Sequence, residues 1–460
     1  MNEYPTRSGR SENEWRLARG PVGSLLLRYA LPGVIAMTFF ALQSIVDGLI
    51  VGHWVGVDAL AAVNIAFPAY TLMTALALVI GIGTQAQMGI CLGKGEYGNT
   101  MNAFRTGLTT VLVFALVFTV VIHAFTEEIA RFLGASGSLL TLAADYLHGV
   151  MPLLTGVVCF MFFDYMLKVL GHPRYAMCIM VGTILLNLGL SILFVVVYGM
   201  DTFGVGLGTG LSFTTGAVFS SVATFRQLRK DRALGRARSG FSRQMLWRIV
   251  YNGSSEGLSE IAMGISTFLF NITLMEYAGK EGVAAFTIIG YVAFIGSSFM
   301  LGVSNGVIPI LSYNYGAHRR GRLWRTVALS TATNFVIGTL FMCVLWAFGR
   351  PIVTLFLDAS ETGVIALAVT GARIVGLGYL VSGFNVFAAS FFTAVDKAGL
   401  SLVVSALRSL ILIVIGIFTL PKLFGVNGIW LTLTFTEGTT FLVAVLLMRT
   451  AFKRINRIRI

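Results

Sequence analysis

Long apolar runs alternate with short polar segments along the whole chain. Twelve of these runs reach the roughly 20 residues that a helix needs to cross a bilayer while it satisfies its own backbone hydrogen bonds. The predicted helices cover residues 29–53, 59–92, 105–125, 141–168, 175–198, 204–226, 248–275, 283–314, 326–348, 364–394, 400–420 and 426–448. The pattern therefore predicts an all-α polytopic membrane protein with twelve transmembrane helices.

The composition and the placement of charge agree with this prediction. Hydrophobic residues make up 56% of the chain and charged residues only 12%, whereas a soluble domain carries about 25% charged residues. If the N-terminus is cytoplasmic, 28 of the 33 Lys and Arg residues fall in predicted cytoplasmic segments. This count places Arg408 with the segment before its helix. This asymmetry predicts that both termini are cytoplasmic and that the protein lies in the cell membrane. It favours contacts with anionic lipid over nucleic-acid binding.

The chain also divides into two similar halves. A basic polar segment follows the sixth predicted helix, and at a shift of 223 residues Ala61, Ala62, Ile65, Gly83 and Gly93 fall on Ala284, Ala285, Ile288, Gly306 and Gly316. The predicted organisation is a tail, a six-helix bundle, a linker, a second six-helix bundle and a tail, at residues 1–28, 29–226, 227–247, 248–448 and 449–460. Repeats of this kind, related by a pseudo-two-fold axis along the membrane normal, are typical of secondary transporters.

Motifs for enzymatic or ATP-driven chemistry are absent from the sequence. The segment closest to a phosphate-binding loop, Gly89 to Lys94, lacks the required glycine spacing and a hydroxyl after its lysine. The four cysteines stand singly, without the spacing of a metal site or a disulfide framework. We therefore expect no enzyme, no bound metal and no cofactor beyond a coupling ion.

Ionisable residues inside the predicted helices are the candidate functional groups, because each is costly in a bilayer unless it is paired or wetted. Asp47 lies deep in the first helix, with Gln43 one turn before it. Asp164 has Lys168 four residues later, so either an ion pair along one helix face or a functional role is open. Further candidates are Asn187, Ser191, Glu256, Glu260 and Glu437, for which helix packing or interhelical hydrogen bonding is the alternative.

Several of these residues stand in motifs that resemble those of the multidrug and toxic compound extrusion (MATE) family. DGLIVGHWVGVDALAAVNIAFP, from Asp47 to Pro68, resembles the family's first-hairpin signature, an acid followed by G-x-x-x-G and an A-L-A-A run. DYMLKVLGHPR, from Asp164 to Arg174, is similar to N-x-x-x-R-x-x-G-[ND]-P-[KR]. A second GV-x-G pattern occurs at Gly425, followed by Trp430.

The resemblance implies a V-shaped fold of two six-helix bundles that exports organic, often cationic, compounds in exchange for H⁺ or Na⁺. It implies coupling-cation contacts from Asp47, Asp164, Asn187 and Ser191. Ser191 stands where many relatives have Asp, and Asp164 stands where they have Asn. Gln43, Glu256, Glu260 and Glu437 are candidates for a substrate site or a second proton site.

Two alternatives to drug export remain at this point. A lipid-linked precursor flippase of the wider superfamily would carry several cationic residues deep in its cavity, whereas here Arg and Lys largely avoid the predicted mid-membrane. A membrane enzyme or a channel would need a reactive cluster or a charged ring, and neither is visible. We expect small organic substrates and membrane lipid as partners, no nucleic acid, and function as a monomer.

Overall fold

A computed structural model describes residues 12–237, 240–355 and 361–457, which are helical with short connections and contain no β-strand. Residues 1–11 and 458–460 of the predicted tails, and residues 238–239 of the predicted linker, lie outside the described residues. The helices of the first half are α1 Glu12–Arg19, α2 Val22–Ile50, α3 Val57–Lys94, α4 Tyr97–Ala124, α5 Thr126–Phe132, α6 Ser138–Val150, α7 Leu154–Val169, α8 Pro173–Ser191, α9 Asp201–Lys230 and α10 Arg232–Arg236.

The second half repeats this organisation with longer continuous helices. They are α11 Arg243–Gly306, α12 Ile308–Gly316, α13 Arg320–Val353, α14 Thr362–Ala394, α15 Ala398–Ala406, α16 Leu412–Phe424 and α17 Val426–Arg457. Three π-helical segments extend or join these helices, at Val51–Val55, Ile192–Val197 and Leu407–Ile411. A 3₁₀ turn, Met151–Leu153, joins α6 to α7.

Twelve membrane crossings account for these helices, as the sequence predicts. Ten continuous helical stretches of the described residues are long and apolar enough to span a bilayer. One of them, Arg243–Gly316, contains two predicted spans, because Gly279 breaks the helix with a φ of 58°. The twelfth crossing is α9, whose many glycines, serines and threonines make it less apolar than the others. The all-α prediction is therefore confirmed.

The first and last described helices, α1 and α17, both contact the start of α13 on one side of the bundle. The Arg322 guanidinium donates to the carbonyl oxygens of Leu17 at 3.1 Å and Gly20 at 2.7 Å, just before α2. The neighbouring Arg320 donates to the carbonyl of Asn456, near the end of α17, at 3.1 Å. We call this the termini side and the other end of the helices the opposite side.

The two halves pack against each other through backbone contacts near the termini side. A Cβ added at Gly83 of α3 would lie 2.1 Å from the carbonyl oxygen of Ile249 of α11, and one added at Gly253 would lie 1.9 Å from that of Val79. Small residues permit this close approach of helices within a membrane. These contacts hold the halves together near the termini side. The predicted domain boundaries themselves stay a prediction.

Arg408 does not lie in the polar segment that the charge count gives it. It lies in the π-helical segment within the continuous apolar stretch Ala398–Phe424. It is ten residues from Ala398, which corresponds to about 15 Å of helix. The membrane region therefore contains an arginine that the hydropathy pattern conceals.

Candidate functional site

A polar cluster in the first half joins α2, α8 and α9 around Asp47. The side-chain nitrogen of Gln43 lies 3.4 Å from Asp47 Oδ2 and 2.8 Å from Asn187 Oδ1. Asn187 in turn donates its side-chain NH₂ to Thr209 Oγ1 at 3.2 Å. Gln43 and Asp47 share one face of α2, since residues four apart in a helix lie one above the other. The structure thus brings together three of the predicted residues and adds Thr209.

Several oxygen atoms of this region remain available as hydrogen-bond or ion acceptors. Within the described residues, Asp47 Oδ1, Gln43 Oε1 and Ser191 Oγ are buried and have no hydrogen-bond partner. Ser191 is fully buried one turn beyond Asn187, and a Cβ added at Gly208 would lie 3.3 Å from its hydroxyl. A carboxylate beside neutral oxygens suits a proton or a hard cation such as Na⁺.

Asp164 lies away from this cluster and forms a buried ion pair with Lys168 on the same face of α7. Each side chain of the pair is only 5% exposed. The Lys168 ammonium also lies 5.1 Å from the centre of the Tyr165 ring. This arrangement supports the ion pair that the four-residue spacing allows.

Asp164 and Asp47 also lie at different depths along their helices. Asp164 is five residues from Val169, or about 8 Å from the termini-side end of α7. Asp47 is eight residues from Val55, or about 12 Å from the opposite side. The predicted partnership between Asp164 and Asp47 has no support in this arrangement.

The two glutamates of α11 lie in the second half without a direct partner. Glu256 and Glu260 are both half-buried, and neither forms a hydrogen bond or an ion pair within the described residues. Gly257, next to Glu256, packs against Val79 of α3, since a Cβ there would lie 2.4 Å from Val79 Cγ2. These acids therefore lie on the helix that packs against the first half.

Glu437 is the centre of a second polar cluster, formed by α14, α17 and the segment Leu407–Ile411. The Arg408 Nε donates to Glu437 Oε1 at 2.8 Å, and the Ser382 hydroxyl donates to the same oxygen at 3.0 Å. The Asn385 side-chain nitrogen donates to Glu437 Oε2 at 2.7 Å. Arg408 Nη2 lies 3.3 Å from Ser382 Oγ, which closes the network.

Sequence reasoning missed four residues of these two clusters: Thr209, Ser382, Asn385 and Arg408. Arg408 falls within the predicted helix 400–420, so the cost of an ionisable group in a membrane could have identified it, as it identified Asp47. Thr209, Ser382 and Asn385 carry no such signal. Neutral polar residues are common in membrane helices, and only the fold brings these three next to a charged group.

The sequence of the chain matches the model of a known protein family. The model of the MatE family matches residues 32–193 and 257–418. The chain belongs to the MatE family. The two matches have equal lengths and lie 225 residues apart, close to the shift of 223 found between the two halves. This MatE protein therefore carries the family's sequence pattern twice.

Similar proteins and similar solved structures match the MatE protein over nearly its whole length. It is 22% identical over 444 residues to the multidrug export protein MepA of Staphylococcus aureus strain MSSA476, covering 95% of this chain and 96% of that protein. It is 21% identical over 431 residues to MepA of Staphylococcus haemolyticus, with 94% of each chain covered.

Among solved structures, the outward-facing conformation of a multidrug resistance MATE family transporter of the MOP superfamily matches with a TM-score of 0.90 and 22% identity, over 97% of this chain and 99% of that one. The straight conformation of a MATE protein also gives 0.90, at 21% identity and the same coverage. At these identities the likeness shows the fold. The MATE-like fold predicted from the sequence is thus confirmed for this multi-pass membrane protein.

Proposed function

We propose that this MatE-family protein exports small organic compounds from the cell in exchange for H⁺ or Na⁺, with Asp47 as the coupling site. The observation that carries the proposal is the Asp47 carboxylate inside a membrane helix, whose buried Oδ1 has no hydrogen-bond partner within the described residues. A group of this kind is retained at such a cost mainly where an ion or a proton is moved. The relatives named multidrug export protein support small organic compounds as the cargo.

Coupling follows from the contacts of Asp47. Cation or proton binding would neutralise the carboxylate and so weaken its interaction with the Gln43 amide. Gln43 also bonds Asn187, so a change at Asp47 is transmitted from α2 to α8 through one side chain. Asn187 and Ser191 would supply neutral oxygens to the bound ion. The ion would thus shift the relative positions of two helices, which is what an exchange mechanism requires.

Asp164, Glu256, Glu260 and Glu437 have different roles in this proposal. Asp164 is paired with Lys168 and stabilises the first half. Glu256 and Glu260, which have no direct partner among the described residues, are second candidates for proton or cationic-substrate contact. Glu437 is held by three donors and is not a free acid.

The termini side would face the cytoplasm, with the protein a monomer in the cell membrane among anionic lipids. The excess of basic residues on this side supports that orientation. We propose no enzymatic activity, no nucleic-acid partner and no cofactor other than the coupling ion. A flippase for lipid-linked precursors is less well supported, because it would need several cationic residues in its cavity. Lys168 is held in a buried ion pair, and Arg408 already bonds Glu437 through one edge of its guanidinium.

Ethidium uptake into inverted membrane vesicles tests the proposal. We expect accumulation of ethidium when either a pH gradient or a Na⁺ gradient is imposed, and the effective gradient identifies the coupling ion. Vesicles from the same host without the protein are the control. Equal ethidium accumulation in both preparations under both gradients would contradict the proposed export.

A further inference from the structure

The cluster around Glu437 leaves an arginine available to a ligand. Both oxygens of the Glu437 carboxylate accept hydrogen bonds, Oε1 from Arg408 and Ser382, and Oε2 from Asn385. The guanidinium has five N–H donors. Its bonds within the described residues use Nε and Nη2, and none uses Nη1. Within the described residues, both carboxylate oxygens are therefore paired, while Nη1 of the arginine is not.

The Arg408 side chain is also more exposed than the Glu437 side chain. The Arg408 side chain is 25% exposed and that of Glu437 is 14% exposed, while Asn385 is fully buried. The cluster thus presents the cationic donors of Arg408 on its open side. A guanidinium can bond Glu437 along one edge and still offer its other edge to a ligand, because its planar group holds its N–H donors in fixed directions.

The polar partners of Arg408 place its guanidinium among the helices of the second half. These partners, Ser382 and Glu437, lie on α14 and α17. A guanidinium exposed to acyl chains would cost several kcal/mol, so charged groups at this depth face the bundle interior or a wet cavity. Arg408 therefore lies where a substrate between the helices can reach it.

The two clusters differ in the polarity that they offer. Around Asp47 the atoms without a partner in the described residues are two acceptors, Asp47 Oδ1 and Gln43 Oε1, and one hydroxyl that can accept, Ser191 Oγ. Around Glu437 the available groups are the donors of Arg408. We propose that Arg408 binds the carboxylate of substrates, so that the protein prefers organic compounds carrying a free carboxylate, zwitterions included, over their esters. This inference rests on the proposed export of organic compounds and specifies their chemical class.

Binding of two matched dyes to the purified full chain tests this preference. Rhodamine 110 has a free carboxylate and rhodamine 123 is its methyl ester, so fluorescence anisotropy yields a ratio of the two dissociation constants. Loss of a hydrogen bond to a charged group costs about tenfold or more in affinity. We expect Arg408→Gln combined with Glu437→Gln to reduce the preference for rhodamine 110 at least tenfold relative to the unmodified protein.

Two further variants keep the test decisive. Arg408→Lys preserves the ion pair with Glu437 and thus the fold, but it lacks the second edge, so we expect a clear partial loss of the preference. Lys422→Gln removes an exposed cation from α16 outside the cluster and should leave the ratio unchanged. An unchanged ratio in both Arg408 variants, or no binding of rhodamine 110 to the unmodified protein, would overturn the inference. Dye binding without gradient-driven ethidium transport would contradict the proposed export alone.

Discussion

Gln43 and Asn187 are hydrogen-bonded at 2.8 Å although 144 residues separate them in the chain. The same Gln43 nitrogen lies 3.4 Å from the carboxylate of Asp47. One amide therefore connects the acid of α2 to the polar face of α8. Any change in the charge of Asp47 alters a contact between two helices, and this gives the candidate site a route to conformational change.

Thr209 is expected to orient Asn187 for this contact. In Thr209→Val the Asn187 side-chain NH₂ loses its acceptor, and the net value of such a hydrogen bond is about 0.5–1.5 kcal/mol. The coupling-ion concentration for half-maximal ethidium uptake should then rise about two- to tenfold. Thr215→Val is the matched control on α9, because within the described residues the Thr215 hydroxyl bonds only the Leu211 carbonyl of its own helix. An equal shift in both variants would contradict this role.

The buried pair of Asp164 and Lys168 is expected to stabilise the first half rather than to bind the coupling ion. Asp164→Asn or Lys168→Met alone leaves a buried charge without its partner, which costs about 3–5 kcal/mol. Thermal unfolding in detergent should show a large loss of stability for each single variant. The loss of stability should be smaller for the double variant Asp164→Leu with Lys168→Met.

The chain offers a control with the same spacing for this experiment. Arg131 and Glu127 also lie four residues apart, at 3.4 Å, but both side chains are 63% exposed. Exposed pairs contribute about 0–1 kcal/mol, so Glu127→Gln should have little effect on unfolding. If the double variant at 164 and 168 lost as much stability as the two single variants together, the ion-pair explanation would be wrong.

The close contact of α3 and α11 is expected to keep the termini side closed. A Cβ at Gly253 would lie 1.9 Å from the Val79 carbonyl oxygen, so Gly253→Ala must separate the two helices. Cys91 of α3 lines a polar cavity of about 180 Å³ beside Lys94 and Arg248 at this interface. Its alkylation by a membrane-impermeant maleimide, added on the termini side, should therefore become faster.

Two details make the alkylation experiment interpretable. Cys178 and Cys343 are exposed and are replaced by alanine in every sample. Gly264→Ala is the control on α11, because a Cβ there would meet nothing within 4 Å. The same alkylation rate in Gly253→Ala and Gly264→Ala would show that this contact does not hold the side closed.

Sequence reasoning reached the fold and Asp47 because both follow from the bilayer as a solvent. Long apolar runs and a costly lone acid can be identified without tertiary structure. The polar partners could not be identified in this way. Thr209 lies in α9 among many other threonines, serines and glycines, and nothing local distinguishes it. The position of Asp164 near the termini-side end of its helix follows from the predicted bounds 141–168. Its buried contact with Lys168 is allowed by the four-residue spacing but is specified only by the fold.

The central claim, that Asp47 couples ion entry to export, is tested most directly by gradient-driven ethidium uptake in inverted vesicles containing Asp47→Asn. Asparagine keeps the size of the side chain but cannot take up a proton or balance a cation. We expect the rate with the gradient to fall to the rate without it, whereas Asp58→Asn, at an exposed position near the opposite side, should retain the stimulation. Full gradient-driven uptake in Asp47→Asn would contradict the account.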